Sequence, residues 1–580
     1  MPGHASRAKH TLLLSRMGVC PFSLVRSLLP SSAGVFPKVP LPFSRRLALL
    51  LTGLLPSVVV AAPPAITGIT PAGVQAGKSV TVSLKGAAGD PAPQVWCSRP
   101  GITLAPIEKS KDWTLTAAAD CPPGIAWLRF SNDEGASDLR PVFIGTLPEI
   151  AEAEPNNTNA QAQKVEMLPV VVNGVLHKGG EVDALAVTLE AGQTLTASIE
   201  AHRGLGSPMD GVLQVATPDG FVLLQNDDDR GNDPQLTFTA ARPGPYLVRV
   251  FAFPADPNST INYAGGEGYI YRLLLTTGPV IDHTAPLAVA SPTPAPLAPV
   301  GTGIARDAAP IVPTLIDETA ILPAADPSTL LAHRLPLVSH ATPVEAAPAE
   351  PNALQLLTLP MSLTGHVGAP GEVDRYRFAG KKGESLRLAV EARRFDSPLD
   401  PVLRLFGPDG KLVKEQDDEG RKSYDIDFNQ SLPADGEYRL EVTDRFRHGG
   451  PRFAYLLTAE ATAPDFELTV EANRWTLKAG TSLEIPVTIG RRGGFKEEIV
   501  LEVEGLPADA EVTVAETKSL AMGDSAKSVK LKIETKRATP LNVPLKIIGK
   551  AGERRRVADG PIAGLSDRTT ALWLTIVKGS

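Results

Sequence analysis

One block of this 580-residue chain occurs twice, and that duplication limits the available folds more than any other feature. The first copy begins at Gly174: "GVLHKGGEVDALAVTLEAGQTLTASIEAHRGLGSPMDGVLQVATPDGFVLLQNDDD". The second begins at Gly365: "GHVGAPGEVDRYRFAGKKGESLRLAVEARRFDSPLDPVLRLFGPDGKLVKEQDDEG". Gly-Glu-Val-Asp recurs at 180–183 and 371–374, Ser-Pro-x-Asp at 207–210 and 397–400, and Pro-Asp-Gly at 218–220 and 408–410. The acidic pair at 227–228 matches that at 417–418, and each copy closes on a Gly-x-Tyr strand, "GPYLVRVFAF" and "GEYRLEVTDR". Correspondence over about 80 residues with almost no gaps is a duplication rather than chance. Around it, 54 prolines and 51 glycines punctuate short runs rich in Val, Leu and Thr, the texture of β-sandwiches rather than helical bundles.

The predicted fold class is therefore all-β, as tandem β-sandwich domains, jelly-roll-like and immunoglobulin-like. Residues 63–148 alternate in "SVTVSL" and turn at Pro71-Ala72-Gly73, which predicts an immunoglobulin-like sandwich. The repeats occupy 149–278 and 350–463. Between them, 279–349 contains from Ala285 the Pro/Ala-rich, nearly uncharged "APLAVASPTPAPLAPVGTGIARDAAPIVPTL" and is expected to be an extended linker; the alternative for its remainder, which has short apolar runs, is a segment that covers one copy. Residues 464–580 show some seven alternating segments and 18 Lys/Arg against 16 Asp/Glu, read as a second immunoglobulin-like sandwich.

Residues 1–62 read as a leader rather than as fold. Arg45 and Arg46 precede "LALLLTGLLPSVVVAA", which ends in small residues at Ala61 and Ala62, the pattern of a secretory signal peptide. Its position deep in the chain points to Met17 as an alternative start. The mature chain is thus expected to be exported, to the periplasm, cell surface or medium, with no transmembrane helix. With Cys20 in the leader, Cys97 and Cys121 remain, an even pair in an exported chain. A disulfide is the expected reading, two buried thiols the alternative. A formal charge of -7 argues against a nucleic-acid partner.

No Gly-x-Ser-x-Gly, His-Glu-x-x-His, Cys-x-x-Cys or phosphate-cradling Gly-x-x-x-x-Gly-Lys-Ser/Thr is present, and the histidines are scattered singly. The chain is expected not to be an enzyme. Its chemistry lies in acidic clusters. Residues 152–277 hold 15 Asp/Glu and 7 Lys/Arg, a difference of -8 that exceeds the net charge of the whole chain. In "EAEPNNT", Glu152, Glu154, Asn156 and Asn157 offer the oxygen atoms that a hard cation such as calcium requires, and Pro155 stiffens the backbone between them. Glu181 and Asp183 of "GGEVD" lie on one face of the next strand by alternation. The alternative for this stretch is a flexible acidic linker. The loop "NDDDRGND" and Asp210 are read as turn residues or as further ligands.

The repeats resemble the bacterial pre-peptidase C-terminal domain through Glu154-Pro155-Asn156, Glu181-Val182-Asp183, Asp210-Gly211-Val212-Leu213, Pro218-Asp219-Gly220 and Asn226-Asp227-Asp228. They are similar, too, to the calcium-dependent collagen-binding domains of clostridial collagenases. The resemblance implies a jelly-roll-like sandwich that binds calcium through Glu152, Glu154, Asn156, Asn157 and Asp183, with Glu181 as a further candidate. The second copy reads "APAEPNALQ", with Pro348 and Ala353 where the first has Glu152 and Asn157. It retains only Glu350, Asn352, Glu372 and Asp374, so calcium is expected in the first repeat only. By the same resemblance Tyr263, Tyr269 and Tyr271 are candidates to grip a polymer, with core packing as their alternative. The expected function is that of an exported, non-catalytic, multi-domain binding or adhesion protein. Its partner would be an extracellular polymer, an envelope component or an exported protein. The alternative is an accessory or targeting subunit of a separately encoded exported peptidase.

Overall fold

The computed structural model describes residues 62–579 apart from 90, 258–261, 293, 306, 317–318, 322–333, 347–353, 419–423 and 566. The leader expected at 1–62 lies outside the described residues except for Ala62, as do Glu350 and Asn352. The described chain is built almost wholly of strands arranged as stacked sheets. Among the described residues no helix is long and apolar enough to cross a membrane.

In the first sandwich one sheet runs Ala65–Thr70, Ser79–Ala87, Asp112–Ala117, Ile102–Pro106. The facing sheet runs Gly73–Gln75, Arg140–Gly145, Gly124–Asn132, Gln94–Cys97. "DWTLTA" shows why these residues make a half-buried strand. Every second side chain, Trp113, Leu115 and Ala117, is buried, because successive side chains of a strand point to opposite faces. Trp113 meets Phe130 of the other sheet edge to face at 6.2 Å. The expected disulfide is corrected here: Cys97 and Cys121 are free thiols. Cys121 is buried in the core, its Sγ 3.8 Å from the Pro100 carbonyl, and burial pushes both thiols up.

The first repeat pairs two five-stranded sheets. One runs Glu149–Ala151, Val170–Val175, Ile270–Thr276, Thr194–Glu200, Gln235–Thr239. The other runs Gln163–Lys164, Asp183–Leu189, Gly244–Pro254, Met209–Ala216, Val222–Asn226. Val172, Leu185, Leu213, Val248 and Leu273 fill the space between them. The second block repeats this order. One of its sheets runs Gln355–Leu356, Asp374–Gly380, Gly436–Asp444, Pro401–Phe406, Leu412–Gln416, and the other Met361–His366, Ala454–Ala461, Ser385–Glu391, Ile426–Ser431. The duplication read from the sequence is thus a duplication of topology.

Residues 279–349, expected as an extended linker, contain strands instead. Val280–Ala285 pairs antiparallel with Ala298–Thr302, and Val289–Ala290 lies beside Arg334–Val338 in a second small sheet. Leu287, Val289, Leu297 and Leu335 bury against Phe395, Ala454 and Leu456 of the second block. A few apolar anchors suffice to seat a segment whose average composition reads as a spacer.

The last sandwich stacks a four-stranded sheet (Asp465–Val470, Ser482–Arg492, Ser528–Thr535, Val512–Val514) on a sheet centred on Leu541–Ala551 and Leu572–Val577. It docks on the first sandwich. Arg129, fully buried, donates to the Ser137 carbonyl at 3.0 Å and to Asn473 Oδ1 at 3.1 Å. Its guanidinium lies 5.6 Å from the Trp573 ring centre, Trp96 meets Trp573 at 5.8 Å, and Arg474 pairs with Asp138 at 2.9 Å.

Candidate functional site

The acidic stretch that opens the first repeat is not a free linker. Its strand Glu149–Ala151 lies parallel to Val170–Val175, and the Glu152 N–H donates to the Asn173 carbonyl at 2.9 Å. Glu149 holds this edge through Arg272, at 2.5 Å, and Asn173, at 2.8 Å. Arg272 in turn lies over the ring of Phe143 from the first sandwich, 4.7 Å from its centre, so the stretch is stitched to both neighbours. The chain then folds back against the next strand, where the Ala184 N–H donates to the Asn156 carbonyl at 3.0 Å. This return brings Glu154 to Glu181 and Asp183. One carboxylate oxygen from each lies within 4.8 Å of the others.

Glu154 is exposed, whereas Glu181 and Asp183 are buried. Asn156 is 0% exposed, and neither its Oδ1 nor its Nδ2 has a hydrogen-bond partner. Asn157 Oδ1 and Asp183 Oδ1 are likewise buried without partners. An unpaired buried polar atom costs about 1–3 kcal/mol, and native proteins carry few of them. Here they belong to the same two segments that bring the three carboxylates together. Glu154 is held for its part by donors from the Asn156 N–H and Asn157 Nδ2, each at 3.0 Å. Glu181 accepts from the Lys178 N–H at 3.2 Å.

Glu152, expected among the ligands, stands beside this group rather than in it. Its Oε1 accepts from the Val175 N–H at 2.7 Å and its Oε2 from the Tyr271 hydroxyl at 3.1 Å. Tyr271 points the same hydroxyl at Asp183 Oδ2, 2.7 Å away. That corrects the candidate role of Tyr271 in gripping a polymer: it is fully buried and orients carboxylates. Its ring crosses Gly174, where an added Cβ would sit 2.2 Å from Tyr271 Cζ and 2.6 Å from Glu152 Oε2. Tyr269 packs against the core, and Tyr263 is exposed beside Phe251 and Phe253. Burial, followed by the negative charges of Glu152 and Glu181, pushes Asp183 up to about 9. Burial also raises Glu152. Carboxyl groups so placed hold protons unless a positive charge replaces them.

In the second block Tyr455 lies across Gly365 and donates to Asp374 Oδ2 at 2.7 Å. The place of Glu152 is taken by Glu345, which sequence comparison missed. The Glu345 N–H donates to the Thr364 carbonyl, and its carboxylate accepts from the His366 N–H and the Tyr376 hydroxyl, each at 3.0 Å. The available signal is "EA" at 345–346 answering "EA" at 152–153, masked by three further residues before Glu-Pro-Asn.

Two aspartates of the "NDDDRGND" loop make structural contacts. Asp233, 0% exposed, accepts from the backbone N–H groups of Ala201, His202 and Arg203, and Asp229 pairs with Arg452 of the second block. Asp210 is partly buried, and its Oδ1 has no hydrogen-bond partner.

Residues 181–252 match the family model of the bacterial pre-peptidase C-terminal domain. That match takes in Glu181 and Asp183 and begins after Glu154 and Asn156. A probable subtilase-type serine protease of Deinococcus radiodurans is 26% identical over 252 residues, which is 40% of this chain and 28% of that protein. The chain therefore spans under a third of this relative's length. Among solved structures, the pre-peptidase C-terminal domain of a Bacillus anthracis collagenase aligns at 16% identity, covering 19% of this chain and 98% of that one, with a TM-score of 0.16. The four N-terminal Ig domains of Dscam1 align at 10% identity over 90% of this chain and 100% of that one, with a TM-score of 0.18.

Proposed function

We propose that this is an exported, non-catalytic binding protein whose first repeat holds a calcium ion at Glu154, Asn156, Asn157, Glu181 and Asp183. The ion would clamp the connection between the first sandwich and the first repeat. The observation that carries this reading is the convergence of three carboxylates, from Glu154, Glu181 and Asp183, in a stretch whose Asn156 is buried with both amide atoms unpaired. Hard cations take six to eight oxygens from carboxylates, amides, carbonyls and water, and this donor set has that chemistry. Glu152, already bonded to Val175 and Tyr271, would orient Asp183 from behind. Several sandwiches in one chain would let weak contacts with an extracellular polymer or an envelope component add up.

Calcium that binds the folded chain alone stabilises it by about 2.7 kcal/mol at a hundredfold excess over Kd. The test is calorimetric melting of the mature chain in calcium and in chelator. A transition that rises with calcium in the wild type, and no longer does so in Glu154→Gln, supports the site. A transition that calcium leaves in place refutes it.

The subtilase-type relative favours a second reading, an accessory or targeting subunit of a separately encoded exported peptidase. Pull-down from an envelope extract distinguishes the two: recovery of a peptidase favours the second, recovery of polymer or envelope material the first.

A further inference from the structure

The second block carries a cavity of about 550 Å³ beneath the hairpin formed by Val280–Ala285 and Ala298–Thr302. Its polar wall consists of His283 from the hairpin and Glu345, Thr364, His366 and Glu372 from the second block and its approach. Val300 and Val344 line its apolar side, and no lysine or arginine is among its lining residues. A volume of roughly 300–1,000 Å³ with a few convergent polar groups is the usual scale of a small-ligand site.

His283 sets this cavity apart from a solvated acidic surface. It is 8% exposed, it lines the cavity, and neither ring nitrogen has a hydrogen-bond partner among the described residues. Burial and the neighbouring His366 imidazole push it down to about 4, so at neutral pH it is uncharged and one ring nitrogen offers a lone pair. His366 is fixed differently. Its Nε2 lies 2.8 Å from the Gly450 carbonyl. That nitrogen must be the donor. His366 Nδ1 and Glu372 Oε2 approach the same point, 3.4 and 3.3 Å from where a Cβ on Gly368 would sit. Glu372 keeps its place through the Ala369 N–H at 2.8 Å. The cavity thus offers two carboxylates and one uncharged imidazole, the complement of a cation rich in N–H donors.

A bare metal ion is the poorer occupant. In the first repeat three carboxylate oxygens converge within 4.8 Å, and among the described residues the groups lining this cavity belong to no such set. The space is too wide for one ion, and its valine wall suits an alkyl stem. We infer that the cavity between the 280–302 hairpin and the second block binds a primary ammonium group on an aliphatic chain. The ammonium sits among Glu345, Glu372 and the two imidazoles, and the stem lies on Val300 and Val344. Two sources carry that chemistry, a free polyamine and the lysine side chain of a peptide. The inference is independent of the calcium reading.

The test is isothermal titration of the mature chain with spermidine, Nα-acetyl-lysine amide and the uncharged Nα-acetyl-norleucine amide, each in chelator. Binding of at least one amine at about millimolar concentration or tighter, with norleucine amide inert, is expected. Spermidine alone identifies a polyamine site, lysine amide a peptide site. Glu372→Gln, which keeps the acceptor for the Ala369 N–H, should weaken the amine about tenfold by removing one charge-assisted bond without moving the melting transition. His283→Phe, which replaces the imidazole by a ring without nitrogen, should weaken the amine as well, and Glu154→Gln in the other repeat should leave it unchanged. The inference is overturned if neither amine binds, if norleucine amide binds equally well, or if Glu372→Gln and His283→Phe both bind like the wild type. Zinc binding that needs His283 and His366, with no amine binding, overturns it as well.

Discussion

Replacing Asp183 by asparagine should stabilise the calcium-free protein and abolish its response to calcium, two effects of opposite sign from one atom. Asp183 lies against Glu152, Glu181 and the Tyr271 hydroxyl, and its carboxyl is displaced from an ordinary 3.8 to about 9. Without the ion the folded chain therefore holds a proton that the unfolded chain has released. The stability this contributes is present in full below pH 3.8 and is lost as the pH climbs towards 9. Each pH unit costs about 1.4 kcal/mol. At pH 7 the ceiling is on the order of 4 kcal/mol, lowered because Glu152 shares the proton. Asparagine keeps an acceptor for Tyr271, offers Glu152 an N–H and has nothing to titrate. In chelator, Asp183→Asn should therefore melt above the wild type, by more at pH 8 than at pH 6. In calcium the gap should narrow by about 2.7 kcal/mol at a hundredfold excess over Kd, since the wild type gains that much and the variant gains nothing. Calorimetric scans at the two pH values, with calcium and with chelator, give all four comparisons. A variant that melts below the wild type in chelator, or that still responds to calcium, refutes the reasoning.

Gly174→Ala drives a Cβ to 2.2 Å from the Tyr271 ring; overpacking of this kind costs about 1–3 kcal/mol, read as a lowered first-repeat transition with weakened calcium binding. Arg129→Ala removes the buried guanidinium that bonds Ser137 and Asn473 and leaves both acceptors wanting, at a cost of about 1–3 kcal/mol in urea unfolding. Arg474→Ala, at the more exposed edge of the same joint, should cost under about 1 kcal/mol in the same assay. Because Cys97 and Cys121 are free, reductant should leave every melting transition in place, and both thiols should react with Ellman's reagent in denaturant; a drop in melting temperature on reduction would contradict this.

The strands are legible where alternation is strict, as in "DWTLTA", because one face of each strand is core. Glu154, Glu181 and Asp183 are legible because type and spacing suffice, and the two segments that carry them are adjacent in space. The role of Tyr271 is not. Its hydroxyl reaches Asp183 from 88 residues away, and only Gly174 beneath its ring hints at the contact. Glu345 is hidden by a shift in spacing. Residues 279–349 mislead through averaging: proline and alanine dominate, while Leu287, Val289 and Leu297 do the anchoring. Arg129, in "IAWLRFSN", looks like the solvent side of a strand, and what buries it is another domain.

That last contact has a consequence for the order of events in the chain's synthesis. The Arg129–Asn473 bond spans 344 residues, so at about 5–20 residues per second the arginine emerges roughly 20–70 s before its acceptor. Throughout that interval the tryptophan-lined flank of the first sandwich, Trp96 and Trp127, has nothing to cover it. A nascent chain in this condition is a substrate for holding chaperones. The joint closes only when the sandwich at 464–580 has emerged, which makes that emergence the checkpoint for the stability of the first.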